Sequence, residues 1–250
     1  MIYSIYYSPT GGCKAVSDTI ASALDERFVR IDLMDKNMSG HTFSKSDLCV
    51  IAVPSFGGRI PHHAKEKLRL LKSDGAFAVL VAVFGNRSVD DTLAELDDVA
   101  VSIGFSPVAC IEGVAEHSLV RTFGAGRPNE KDRSQLKDFA KQILKKLGRN
   151  DISSPHISKS RPYKEYKPSA MTPQVDDTCV SCGKCALECP TDAIPYGNVK
   201  SVDTQKCFSC MHCTSVCPIN ARHNAESVTN ALYERLRDRC SEAKENKLYI

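Results

Sequence analysis

Apolar residues in the first 150 positions fall into short continuous runs separated by stretches with a helical period. Residues 2–8, 28–33, 48–54, 76–84 and 108–114 read as five strands. The third and fourth runs lack any polar alternation, which suits strands whose sheet is covered on both faces. Between the runs, residues 13–24 place Val16, Ile20, Ala23 and Leu24 on one helical face. Further helices fit residues 64–71, 89–103 and 129–147, the last with Pro128 near its first turn and Gly148 after its end. Alternating strands and helices with right-handed crossovers predict an α/β fold, a doubly wound five-stranded parallel sheet. Such sheets bind ligands at the carboxyl ends of their strands, so the loops there are the candidate site.

The pattern changes after residue 149. Residues 150–172 carry Pro155, Pro162 and Pro168, five serines and little periodicity, which predicts a surface linker. Val228, Leu232 and Leu236 recur at helical spacing in a segment ending at Cys240 and predict a C-terminal helix packed on one of the domains. The expected division is 1–149 for the α/β domain, 150–174 for the linker, 175–225 for a small cysteine-rich domain, and 226–250 for the helix and tail. A chain of 250 residues with 42% hydrophobic and 25% charged positions suits one good core plus a satellite domain. The net charge of +3, with no basic run, argues against nucleic acid as partner. The longest apolar run is about half a membrane span, and the first residues lack a basic segment leading a long apolar one. The expectation is a cytoplasmic protein without a membrane span, where thiols stay reduced and favour metal ligation.

Eight of the twelve cysteines form two copies of one pattern: Cys179-x-x-Cys182-x-x-Cys185-x-x-x-Cys189-Pro190 and Cys207-x-x-Cys210-x-x-Cys213-x-x-x-Cys217-Pro218. The offset that carries Cys179 onto Cys207 also pairs Ser181 with Ser209 and Ala193 with Ala221, as an internal duplication does. Each Cys-x-x-Cys-x-x-Cys loop wraps one corner of a [4Fe-4S] cube and supplies three thiolates, and the fourth comes from elsewhere. Structural zinc uses two separated Cys-x-x-Cys pairs and needs neither the third cysteine nor the Cys-Pro ending. Disulfide quartets suit small exported scaffolds. The run resembles the two-cluster bacterial ferredoxins. That resemblance implies one cluster on Cys179, Cys182, Cys185 and Cys217, and the other on Cys207, Cys210, Cys213 and Cys189.

The loop Ser8-Pro9-Thr10-Gly11-Gly12-Cys13 joins the first strand to the first helix. Its glycines let backbone N–H groups and the helix N-terminus face an anion, and its hydroxyls add donors, which makes a phosphate cradle. It lacks the spacing of a Walker loop, and no Gly-x-Gly-x-x-Gly follows a strand. An ordinary glycine-rich turn is the alternative. The third strand ends in Pro54-Ser55-Phe56-Gly57-Gly58-Arg59-Ile60-Pro61 and the fourth in Phe84-Gly85-Asn86-Arg87. These three loops resemble those of flavodoxin. The resemblance implies FMN, with Ser8, Thr10, Gly11, Gly12 and Cys13 at the phosphate. Pro54, Ser55, Phe56, Gly57, Gly58, Phe84, Gly85, Asn86 and Arg87 would then flank the ring. The family usually has Asn-Thr where this chain has Gly12-Cys13, and Pro9 lacks an N–H.

The whole chain resembles the fused flavodoxin/ferredoxin proteins of anaerobes: a flavodoxin-like domain followed by a small α+β ferredoxin domain. This resemblance implies an electron-transfer protein carrying two [4Fe-4S] clusters and FMN, linking one-electron to two-electron chemistry. A low-potential protein donor and an unnamed acceptor are its expected partners, and a homodimer is compatible with the sequence. The alternative is an FMN-dependent reductase of a small acceptor such as a quinone; a roomy cavity beside Phe56, Asn86 and His117 would favour it. Cys49 and Cys110 lie in strands and read as buried thiols. His62 and His63 read as cap or surface, and Phe208 and Tyr196 as packing over the clusters.

Overall fold

The computed structural model describes residues 1–158, 161–167, 169 and 171–250; Lys159, Ser160, Pro168 and Ala170, all within the expected linker, lie outside the described residues. The α/β part runs β1 (Ile2–Tyr6), α1 (Gly12–Leu24), β2 (Val29–Asp32), β3 (His41–Phe43), β4 (Leu48–Pro54), α2 (His62–Leu68), β5 (Leu71–Ser73), β6 (Phe77–Phe84), α3 (Thr92–Ser102), β7 (Ser106–Val114) and α4 (Glu130–Leu147). The cysteine-rich part adds β8 (Gln174–Val175), α5 (Lys184–Leu187), α6 (His212–Ser215) and β9 (Arg222–His223), and the chain ends with α7 (Glu226–Cys240) and β10 (Lys247–Tyr249).

The main sheet has the order β10-β7-β6-β4-β1-β2, with β2, β1, β4, β6 and β7 mutually parallel. Without the separate β3–β5 pair, this is the flavodoxin-like order 2-1-3-4-5. Every residue of β4 is buried, because helices cover both of its faces. α1 and α4 bring Val16, Ile20, Leu136, Phe139 and Ile143 to one face. α2 and α3 bring Ala64, Leu68, Leu93, Leu96 and Val99 to the other.

The sheet has six strands instead of the expected five. β10 joins its edge antiparallel to β7, with Leu248 opposite Ile111. Leu248 packs on one core and Tyr249 on the other, where the tyrosine hydroxyl donates to Glu112 at 2.7 Å. Three residues at the far end of a polar tail carry too short an alternation to announce a strand. The helix expected over 64–71 ends at Leu68, because Leu71 opens β5 and pairs with His41.

The C-terminal tail is fixed by two buried asparagines. Asn246 Oδ1 accepts from Val114 N at 2.8 Å, and its amide donates to Asp132 and Gln135. Asn86 Nδ2 donates to the carbonyls of Cys240 and Glu242, and its Oδ1 accepts from Lys244 N at 2.9 Å. Asn86→Ala therefore leaves three backbone groups without this partner, that of Cys240 in a buried setting. We expect urea unfolding to show a loss of about 1–3 kcal/mol.

The internal duplication is written in the backbone. Positive φ angles occur at Ser181, Gly183 and Asp192 and recur at the equivalent second-repeat positions Ser209, Met211 and Asn220. α5 and α6 are related by the same shift, and β8 and β9 pair antiparallel to close the unit.

Candidate cofactor sites

The second cysteine loop encloses a small cavity lined by Cys207, Cys210 and Cys213 together with Cys189 of the first repeat and Ala193. Cys189 and Cys210 are buried, Cys207 and Cys213 half-buried. Burial, and the proximity of the other thiols, pushes the Cys213 thiol up to about 12, opposed by the nearby Arg222 cation. Such a set becomes thiolate only against a strong positive centre. Backbone N–H groups point at sulfur, Ala193 N at Cys189 Sγ (3.3 Å) and Ser181 N at Cys179 Sγ (3.4 Å), and stabilise the anionic form. Arg222 is almost fully buried, it donates to the carbonyls of Pro173 and Val199, and its Nε has no partner. No carboxylate pairs with it among the described residues, so the cysteine-rich unit keeps a buried cation behind Pro173, which itself lines the thiol cavity. The donor set fits an iron-sulfur cluster.

The first loop lies at the outer surface. Cys182 is exposed, and Val180, Leu187 and Tyr196 are 69%, 66% and 73% exposed. Tyr196 lies against Gly183, where a Cβ would meet its ring at 2.8 Å. Phe208 instead faces the α/β part, stacked on His63 with ring centroids 6.1 Å apart.

At the carboxyl ends of β1, β4, β6 and β7 three cavities adjoin one another around His117 and Ser118. A narrow crevice of about 60 Å³ is lined by Ser8, Thr10, Gly12, Cys13, Pro54, Ser55, Phe56, Phe84 and Gly85. A second cavity of about 280 Å³ opens between Thr10, Gly11 and Gly12 and the three arginines Arg121, Arg127 and Arg133. The third, of about 930 Å³, has Ser55, Phe56, Gly57, Arg87 and His117 on one side and Val228, Leu232 and Leu236 of α7 on the other. Tyr166 and Met171 close one flank and Phe208 and Ser209 another. The expected loop residues are thus gathered at the carboxyl end of the sheet, with Gly58 and Asn86 outside the cavity linings.

Local chemistry explains these placements. Gly11, at φ +89°, turns the chain into α1, whose first N–H groups have no intrahelical acceptor. Ser8 Oγ accepts from Lys14 N at 2.9 Å, leaving Gly12 and Cys13 to present theirs. The Cys13 thiol is raised by burial and stays protonated. Phe56 and Arg59 exchange both backbone hydrogen bonds across Gly57 (φ +60°) and Gly58 (φ +86°), a type I′ turn. A Cβ at Gly58 would lie 2.2 Å from Asp90 Oδ2, whereas one at Gly57 meets only Lys167 O at 3.6 Å. Gly58→Ala should therefore cost more in thermal unfolding than Gly57→Ala, for which left-handed strain alone predicts about 1–2 kcal/mol.

His117 is held in one protonation state. The N–H groups of Leu119 and Val120 both donate to its Nδ1, at 3.2 and 3.1 Å, so its proton sits on Nε2. Burial first, and Arg87 second, pull its pKa down to about 4. An unfolded histidine titrates near 6.5, so the unfolded chain binds the extra proton between those values. His117 should thus subtract stability as pH falls from about 6.5 to about 4, and NMR should find its ring neutral throughout the physiological range.

His63 was not legible as a site residue, since it reads as a helix-start histidine. Its Nδ1 lies 2.9 Å from the Tyr7 hydroxyl. His212 Nδ1 and Ser215 Oγ of α6 both donate to the Pro9 carbonyl, at 2.8 and 2.9 Å, so the glycine-rich loop touches the second repeat directly.

A flavodoxin-like sheet joined to a duplicated cysteine module defines a flavodoxin/ferredoxin fusion. Through residues 172–218, which match the 4Fe-4S dicluster domain, the chain belongs to that iron-sulfur family. It is 56% identical over 32 residues to a ferredoxin of Clostridium perfringens (strain 13 / Type A), covering 13% of this chain and 57% of that one. It is 42% identical over 48 residues to a ferredoxin-like protein in the nif region of Sinorhizobium fredii, covering 16% of this chain and 75% of that one. Of YccM from Escherichia coli (strain K12), 42% identical over 43 residues and 17% of this chain, it spans 12% of the length. The α/β part overlays on an apo NADH:FMN oxidoreductase (TM-score 0.41, 16% identity, 57% of this chain, 87% of that one). It also overlays on an archaeal flavodoxin (TM-score 0.38, 11% identity, 59% and 98%). The strand order, and not these overlays, carries the fold assignment. Among the described residues no helix is long and apolar enough to cross a membrane.

Proposed function

We propose that this protein moves electrons between two [4Fe-4S] clusters and FMN within one chain. The observation that carries the reading is the shared wall: Phe208 and Ser209 line both the thiol cavity of the second repeat and the large cavity at the sheet edge. Clusters saturated by four thiolates exchange single electrons, whereas a flavin takes one or two, so the pair converts between the two kinds of partner. FMN would enter at the topological switch point beside β1 and β4. Its phosphate would meet Ser8, Thr10, Gly11, Gly12 and Cys13, its ring would lie against Ser55, Phe56 and Gly57, and His117 Nε2–H would donate to it. Cys179, Cys182, Cys185 and Cys217 would hold one cluster, and Cys207, Cys210, Cys213 and Cys189 the other.

The size of the cavity supports a second reading. Small-molecule sites occupy about 300–1,000 Å³, and 930 Å³ beside Phe56 and His117 lies at the upper end of that range. A small acceptor seated over the flavin, under α7, would make the protein a reductase fed by its own clusters. Anaerobic reconstitution tests the common core: about eight irons, matching sulfide and one FMN per chain are expected. Zinc, or a chain that binds no flavin, would defeat it. Saturable oxidation of the reduced protein by a quinone then separates reductase from carrier.

A further inference from the structure

The cavity of about 280 Å³ between the glycine-rich loop and Arg121, Arg127 and Arg133 holds one positive charge that nothing in the fold balances. Its lining contains a single carboxylate, Glu116, which is paired with Arg121 and accepts from Gly126 N at 3.2 Å. Arg127 is likewise engaged, donating through Nε and Nη2 to the carboxylate of Asp132. Lys14, the cation nearest to the loop in sequence, pairs with Asp18 at 3.0 Å. His117, also in the lining, is neutral at physiological pH because burial lowers its pKa. Arg133 is left. It is half-buried on α4, makes no ion pair among the described residues, and donates through Nη1 to the uncharged Thr19 Oγ1 at 3.3 Å.

The stability of the fold does not ask for a cation there. Arg133 is the fourth residue of α4, in the first turn, where the helix already presents its positive end. Across the cavity, Thr10, Gly11 and Gly12 lead into α1, whose first N–H groups have no intrahelical acceptor. Two positive helix ends and an unpaired guanidinium therefore border one space, and the one acid in its lining is already paired. We propose that Arg133 is a phosphate anchor of the flavin site: it supplies the cation that holds the FMN phosphate against the backbone of Thr10, Gly11 and Gly12, and so selects FMN over riboflavin. This deepens the proposed function and rests on it. A guanidinium offers a planar fork of donors that matches two phosphate oxygens, and such charge-assisted bonds are stronger than those from neutral groups. The loop has little else to offer from its side chains. Ser8 and Thr10 carry its only hydroxyls, and Ser8 Oγ already accepts from Lys14 N.

The test compares FMN with riboflavin, which has the same ring and no phosphate, in fluorescence titrations of the flavin-free full chain carrying its clusters. The parent should bind FMN more tightly than riboflavin. Arg133→Gln should weaken FMN roughly tenfold or more, as the loss of a hydrogen bond to a charged group does, and leave riboflavin where it was. Arg133→Lys, which keeps the charge and loses the fork, should retain most of the preference for FMN. Equal weakening of both flavins in Arg133→Gln, an unchanged FMN affinity, or a parent that binds the two flavins equally would overturn the assignment. If Arg133→Gln does not fold, the parent's preference and the lysine variant still decide. A parent that binds neither flavin overturns the proposed function and this assignment with it, whereas a parent that binds FMN regardless of residue 133 overturns the assignment alone.

Discussion

Cys217→Ala should abolish the cluster of the first repeat and leave that of its own repeat intact. The structure makes half of this exchange visible: Cys189 lines one cavity with Cys207, Cys210 and Cys213, although it closes the first cysteine run and they belong to the second. The other half follows from the duplication, since the left-handed positions, the short helices and the Cys-Pro endings all repeat at one offset. A backbone that carries Cys189 into the second site carries Cys217 into the first. Losing one of four thiolates opens an iron to solvent, so iron content should fall by about four per chain. The remaining paramagnetic signal should match that of Cys182→Ala and differ from that of Cys189→Ala. A Cys217→Ala protein whose spectrum instead matches Cys210→Ala would show that each repeat closes its own cluster.

Glu95→Ala should produce the largest loss of stability among single substitutions near the flavin loops. Glu95 is buried on α3, takes Arg59 Nε and Nη2 at 2.9 and 2.8 Å, and accepts from Lys65 Nζ and Ile60 N at 3.0 Å each. Burial raises its carboxyl pKa, but the Arg59, Ile60 and Lys65 donors outweigh burial and bring it below the usual value. Removing the carboxylate strands Arg59 and Lys65, and leaving a buried charge unpaired costs about 3–5 kcal/mol. Arg59 also donates to the Lys164 carbonyl and lies 4.9 Å from the Tyr163 ring centroid, so the linker is tied down at the same point. FMN affinity should therefore fall together with the melting temperature, because Phe56 and Arg59 belong to one turn. The sign with pH is fixed. A carboxyl with a lowered folded pKa contributes fully above its unfolded value of about 4.3 and loses that contribution as pH falls through the folded value. Acid unfolding should accordingly be shallower in Glu95→Gln than in the parent.

Strands with continuous apolar runs were legible because two-sided burial leaves no other composition; β4 is found at its expected bounds. The cysteine spacing was legible because the geometry of a cube demands it, and the glycine-rich loops because left-handed φ angles at Gly11, Gly57 and Gly58 admit few other residues. What stayed hidden depends on distant contacts. β10 is a strand only because the edge of β7 receives it, and Asn86 spends its side chain on the remote C-terminal tail, at Cys240 and Lys244. His63 looks like a cap or surface residue in a linear reading. Its setting comes from Tyr7 and Phe208, which the sequence places nowhere near it.

The central claim is that the clusters reduce the flavin of their own chain. His212 and Ser215 contact Pro9 directly and both cavities share Phe208, so transfer by the proposed route would be unimolecular. The decisive measurement is the rate of flavin bleaching after rapid reduction of the clusters, followed across a dilution series of the reconstituted protein. Transfer within one chain predicts one rate at every concentration. A rate that rises with protein concentration, or a flavin that stays oxidised beside reduced clusters, would contradict it.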